Sequence, residues 1–160
     1  MRNLPEFMLL ALLTLAATPA YAQYGGGSSY APGFGAANSS SSITTQVNRP
    51  GLNYTGTVNA GASAQNSPQG FGSSTTTSGV GAGTGSGITV KSTNQDQSFV
   101  KGPNSISVGV STLTATQTVN GQTYPVAVDV GFAFSRASPF GSNATTTAFG
   151  VGVPSTPRAH

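Results

Sequence analysis

The sequence predicts a mostly β protein: a small antiparallel meander or sandwich with long disordered Gly/Ser-rich segments and no helix beyond an N-terminal signal peptide. Two observations carry this prediction. In several stretches, Val, Phe, Ile and Thr alternate with polar or small residues, which is the pattern of half-buried strands and not of helices. The clearest two stretches flank Asn120-Gly121, the dipeptide best suited to a two-residue hairpin turn.

The strongest predicted element is a hairpin spanning residues 104–134. A register counted from the turn places Ala115 opposite Val126. A bulge at Ser111-Thr112, opposite Asp129, would then bring the large apolar side chains of both strands onto one face. Because an isolated hairpin is marginally stable in water, we expect another layer or molecule to cover this face. Asp129 would point away from it as a solvated carboxylate.

The predicted structural and assembly residues belong to this face, to the turn and to a last alternating strand near the C-terminus. They are Ile106, Val108, Val110, Leu113, Asn120, Gly121, Val126, Val128, Val130, Phe132, Phe134, Phe149 and Val151.

Composition divides the chain into six segments. They are a signal peptide (residues 1–22), a flexible Gly/Ser/Tyr arm (23–42), a β-prone segment (43–62), a low-complexity linker (63–87), a β-sheet region (88–154) and a tail (155–160).

The first segment has the features of a secretory signal peptide. Arg2 supplies a positive start, residues 7–17 are apolar, and Ala20 and Ala22 are small residues at the two cleavage-defining positions. The apolar run is too short to span a membrane comfortably. We therefore expect an exported protein, extracellular or at the cell surface, with the periplasm or outer membrane as alternatives. The mature chain would begin at Gln23 and contain no integral membrane span.

In the linker, glycine occupies every second position from Gly79 to Gly87. A strand with this sequence would have one bare face, which another backbone could approach closely, but ordering so many glycines has a high entropic cost. Disorder is the preferred interpretation for this segment.

The sequence offers little that could carry chemistry. It has no Cys and one His, and its three acidic residues include Glu6 in the signal peptide. General acid–base catalysis and metal binding both require several titratable or ligating side chains held together. We therefore expect no enzyme activity, no cofactor and no metal site.

The charge pattern gives no sign of a nucleic-acid partner. The formal net charge is +3, but the cations are isolated from one another, whereas a nucleic-acid-binding surface concentrates them on one face. Lys91 and Lys101 are interpreted as edge-strand residues that discourage incorrect pairing.

These features favour a secreted structural or adhesive protein of the cell surface or extracellular matrix, which assembles through β-strand pairing with itself or with other secreted or outer-membrane proteins. A fibre subunit of a biofilm, amyloid-like in its assembly, fits this description. In composition the chain resembles bacterial curlin-like and holdfast-attachment proteins, which are small, exported and rich in Gly, Asn and Ser. It lacks the regular Gln, Gly and Asn spacing of a curlin repeat. The alternative is a small periplasmic or outer-membrane-associated β-sandwich that anchors or assists another secreted component.

Overall fold

The computed structural model describes residues 21–101 and 104–153, and this part of the chain consists of eight strands joined by short connections. The mostly β prediction is confirmed. The strands are β1 (Tyr21–Pro32), β2 (Gly35–Arg49), β3 (Leu52–Ser67), β4 (Gly70–Gly85), β5 (Ile88–Lys101), β6 (Asn104–Val119), β7 (Gln122–Ser138) and β8 (Gly141–Gly152). Most of the predicted signal peptide and the C-terminal tail lie outside the described residues.

The strands form two antiparallel sheets that pack face to face. A five-stranded sheet has the order β1-β8-β7-β6-β5, and a three-stranded sheet has the order β2-β3-β4. At the two seams between the sheets, β1 lies beside β2 and β4 beside β5. Each edge strand of one sheet is therefore next to an edge strand of the other.

The hairpin turn has the conformation that its sequence predicts. Asn120 and Gly121 have φ angles of 51° and 78°, and Val119 is paired with Gln122 across the turn. Positive φ at both central residues is the requirement of a type I′ turn, whose twist matches that of the flanking strands.

The predicted bulge position is wrong. Ser111 and Thr112 continue the regular ladder, and the irregularity lies farther along, between the pairs Ala115–Ala127 and Thr116–Pro125. Val126 is the extra residue on β7. Proline has no N–H to donate to a ladder, so Pro125 fits this interruption.

The displaced bulge changes the register of the part of the hairpin that lies beyond it, whereas the pairs next to the turn are as predicted. Val126 is buried together with its neighbour Ala127, so two successive side chains of β7 lie in the core. Leu113 pairs with Asp129 and not with Val128. The burial of Val126 explains why the bulge forms there.

The two segments predicted to be disordered are strands in the structure. Residues 23–42 lie in β1 and β2, and residues 63–87 include the end of β3 and all of β4. The bare glycine face of β4 packs against large side chains of the other sheet. A Cβ at Gly81 would lie 3.1 Å from both Val90 and Leu113, and one at Gly83 would overlap Ile88. This segment is therefore ordered by the close approach of a second layer, and the predicted disorder is wrong.

Candidate functional site

The large apolar residues of the hairpin share one face, as predicted, but this face points away from the second sheet. Phe132 is 40% exposed, whereas Ser107, Ser111 and Asp129, which alternate with the apolar residues, are fully buried. We call this surface the outer band. It consists of Ile106, Val108 and Val110 of β6, Val128, Val130, Phe132 and Phe134 of β7, and Phe149 of β8. Val151 of β8, which pairs with Val128, is 2% exposed and does not contribute to this surface.

The other predicted assembly residues lie elsewhere. Leu113 and Val126 are fully buried in the core between the sheets, together with Tyr54 and Val58 of β3. The prediction that they share one face with the other large apolar residues of the hairpin is therefore wrong. Asn120 and Gly121 form the exposed turn.

Small inward residues explain why the hairpin is turned this way. A Cβ at Gly131 of β7 would lie 2.5 Å from a methyl carbon of Val58 on the facing sheet, so β7 has no room for a side chain there. Serine hydroxyls join the layers: Ser107 donates to the backbone oxygen of Ser73 at 3.1 Å, and Ser135 to that of Ser74 at 3.0 Å. Phenylalanine side chains on this face would hold the sheets too far apart for these contacts.

The interior contains one buried carboxylate, which the sequence analysis expected to be solvated. Asp129 is fully buried and accepts hydrogen bonds from the hydroxyls of Thr45 and Tyr54, the latter at 3.0 Å. Glycines make space for this group, because a Cβ at Gly56 would overlap the Tyr54 hydroxyl, and one at Gly150 would lie 2.5 Å from Asp129 Oδ1.

Burial governs the ionisation of this pair. Desolvation raises the pKa of Asp129 above its usual value, although the hydrogen bonds from Thr45 and Tyr54 act in the opposite direction. Desolvation also raises the pKa of Tyr54, and the negative charge of Asp129 raises it further. Tyr54 therefore remains a hydrogen-bond donor at any ordinary pH.

The three-stranded sheet presents a polar outer face. Across it, Thr44 and Thr57 share a hydrogen bond of 3.0 Å, and Ser42 donates to Asn59 at 2.7 Å. Val80, which is 72% exposed, is an isolated large apolar residue on this side. The two outer faces of the molecule thus differ in character, one apolar and one rich in hydroxyl and amide groups.

One end of the molecule carries a third distinct surface. Tyr30 at the end of β1, Phe34 in the β1–β2 turn and Phe140 in the β7–β8 turn are 64%, 68% and 85% exposed. We call these three residues the aromatic tip. The N–H of Gly33 donates to the carbonyl of Phe140 at 3.2 Å, which holds the two turns together.

A buried amide behind the aromatic tip holds the same turns. Asn66 of β3 is 2% exposed, and its Nδ2 donates to the carbonyls of Gly33 at 2.8 Å and Ser138 at 2.7 Å. Sequence analysis missed both this residue and the pairing of Asp129 with Tyr54. The sequence does contain an indication for Asp129, because this residue lies on the same face of β7 as the small residues Gly131 and Ala133.

Within residues 21–101 and 104–153, no group of three or more His, Cys, Asp or Glu side chains is placed to hold a metal ion. The same residues contain no helix that is both long enough and apolar enough to cross a membrane.

The geometry defines a class: a two-sheet antiparallel β-sandwich with one apolar outer face, one polar outer face and an exposed aromatic end. Comparison of the chain with protein families, with curated proteins and with solved structures finds no match.

Proposed function

We propose that the protein is an exported structural or adhesive protein of the cell surface or extracellular matrix, and that it works by self-association through the outer band. The single observation that carries this proposal is the orientation of the hairpin, which directs its large apolar side chains outward. Contiguous apolar surface of this kind on a small protein marks a site of association.

Charge on the outer band favours a second copy as the partner. Arg136, at one end of β7, is the charged residue that continues its row of outward side chains. If two copies stack with their strands antiparallel, their Arg136 side chains lie at opposite ends of the contact and do not repel each other. Few charges elsewhere in the chain further reduce repulsion between copies.

Face-to-face contact agrees with the edges of the sheets better than strand addition does. Since β1 lies beside β2 and β4 beside β5, each edge strand has an edge strand of the other sheet as a neighbour, which restricts the space for an added strand. Stacking of outer bands leaves both seams closed.

Sedimentation velocity over a wide range of protein concentration tests the proposal, with electron microscopy of the same samples. We expect larger species as the concentration rises, and Phe132→Ser should move their appearance to about tenfold higher concentration. Val80→Ser removes a more exposed apolar side chain from the opposite face and should have no such effect. A monomeric wild type at every concentration, or equal effects of the two substitutions, would refute self-association through the outer band.

The second candidate is an accessory or anchoring module for another exported component. The closed seams support it, because they are typical of a domain that folds completely as a single molecule. Such a module would fold without associating and would remain monomeric in the sedimentation experiment. Its outer band would form a contact only with the other component.

A further inference from the structure

We propose that the aromatic tip is a lipid-binding site that inserts into the surface of a membrane or membrane-derived particle containing anionic lipids. The inference goes beyond self-association and uses a different surface. It rests on three observations: the exposure of Tyr30, Phe34 and Phe140, the hydrogen bonding of the backbone behind them, and the charge around them.

The three aromatic side chains are presented together by a fixed backbone. The hydrogen bond between Gly33 and Phe140 joins the turn that carries Phe34 to the turn that carries Phe140. Tyr30 belongs to the same group, because its hydroxyl lies 3.2 Å from the position that a Cβ on Gly141 would occupy. An apolar projection of this kind, with a tyrosine at its margin, fits the boundary between headgroups and acyl chains, where aromatic rings are enriched.

Hydrogen bonding in the two turns favours an apolar occupant over a sugar. The carbonyls of Gly33 and Ser138 accept from Asn66, that of Phe140 accepts from Gly33, and that of Gly141 accepts from the Ser138 hydroxyl. Backbone groups that lose water without another partner destabilise an inserted segment. The four carbonyls named here keep their partners, which lowers the cost of removing the two turns from water.

Charge near the tip selects anionic headgroups. Arg136 is exposed and lies in the same register row as Tyr30, with Asn143 of β8 between them. Adjacent strands are separated by about 4.8 Å, so the backbones of Arg136 and Tyr30 are roughly 10 Å apart. Of the two acidic residues in the described part of the chain, Asp129 is buried and Asp96 lies on β5, at the opposite edge of the sheet from β1. No acidic side chain therefore offsets Arg136 here.

Vesicle flotation tests the proposal, using the purified full chain with identical N-termini in all variants. Wild-type protein should float with vesicles of phosphatidylcholine and phosphatidylglycerol. Phe34→Ser/Phe140→Ser should weaken partitioning by about tenfold or more, because insertion of phenyl rings supplies most of the affinity. Arg136→Gln should weaken binding about fivefold to these vesicles and leave binding to pure phosphatidylcholine unchanged.

Two controls separate this proposal from the others. Val80→Ser removes a side chain that is 72% exposed on the polar sheet and should leave flotation unchanged. Phe132→Ser should float like the wild type, so lipid binding is measured independently of self-association. Unchanged thermal unfolding of the double variant would show that its fold is intact.

Three results would overturn the proposal. The first is that the wild-type protein floats with neither vesicle type, and the second is that the double variant floats as well as the wild type. The third is that the wild-type protein does not float but is retained on a polysaccharide resin, and that the double variant is not retained. The last result would identify a sugar as the occupant.

Discussion

The hydroxyl of Tyr54 on β3 donates a 3.0 Å hydrogen bond to the carboxyl of Asp129 on β7, across the interior between the two sheets. Thr45 of β2 donates to the same carboxyl. A single buried acid thus connects three strands from both layers of the sandwich.

The raised pKa of Asp129 predicts that the protein loses stability as the pH rises. Between the pKa of the unfolded chain, near 3.8, and the higher pKa of the folded state, the native protein binds more protons than the unfolded chain. Asp129 therefore favours folding most below pH 4, and this contribution is lost as the pH rises through the folded-state pKa.

Asp129→Asn should remove this dependence. The amide cannot ionise and can still accept from Tyr54 through its oxygen. Chemical denaturation from pH 4 to 8 measures the free energy of unfolding of both proteins. Relative to the wild type, the variant should become more stable over this range by about 1.4 kcal/mol for each unit by which folding raises the pKa of Asp129. A constant difference between the two proteins over this range would contradict the assignment.

Tyr54→Phe should destabilise the protein by about 1–3 kcal/mol, because it leaves a buried carboxyl with one hydrogen-bond donor fewer. Tyr124→Phe is the matched control, since the Tyr124 hydroxyl donates to Gln122 on an exposed part of the structure. Urea unfolding of both variants measures the difference. Equal losses of unfolding free energy in the two variants would show that the buried hydrogen bond stabilises the protein no more than the exposed one.

Gly131→Ala should destabilise the sandwich by about 1–3 kcal/mol, because its Cβ would lie 2.5 Å from Val58 on the facing sheet. Gly72→Ala places a Cβ in open space on β4 and should be neutral or stabilising by about 0.5–1 kcal/mol. Thermal or chemical unfolding distinguishes them. Val58→Ala added to Gly131→Ala should recover part of the loss, and failure to do so would show that the clash lies elsewhere.

Leu113→Ala should destabilise the protein by about 2–5 kcal/mol, because it opens a cavity between the sheets. Phe132→Ala removes a larger side chain from the outer band and should cost only about 1 kcal/mol. Chemical denaturation at low protein concentration, where association is absent, gives both values. The reverse ranking would show that the outer band is the true core.

Gly121→Ala should destabilise the hairpin by about 1–2 kcal/mol, since its φ of 78° is unfavourable for alanine. Asn120→Gly, at φ 51°, should have little effect because both residues tolerate this conformation. Hydrogen exchange of β6 and β7 amides locates the change. Faster exchange confined to other strands would be inconsistent with a turn effect.

Sequence analysis located the hairpin strands and their turn more reliably than the register of the hairpin. A two-residue type I′ turn fixes the first pairs, such as Val119 with Gln122, through local geometry alone. The bulge at Val126 depends on whether that side chain can be buried, and its core neighbours include residues of β3 such as Tyr54 and Val58. Local sequence does not contain that information.

What the sequence determined by itself was the periodicity. Strict alternation places Val130 and Phe132 on opposite sides of the strand from Asp129 and Gly131, whatever the rest of the chain does. It also determined the turn at Asn120-Gly121.

Only the tertiary structure decided which of the two sides faces inward. Gly131 meets Val58, and Gly81 meets Leu113, across the two layers, from strands far apart in the chain. Close packing of glycine against a larger partner, together with the hydrogen bonds to Asp129, stabilises the small-residue side as the interior. Alternation defines two faces but does not determine which of them is buried, because this depends on the shape of a surface that forms only when both sheets are assembled.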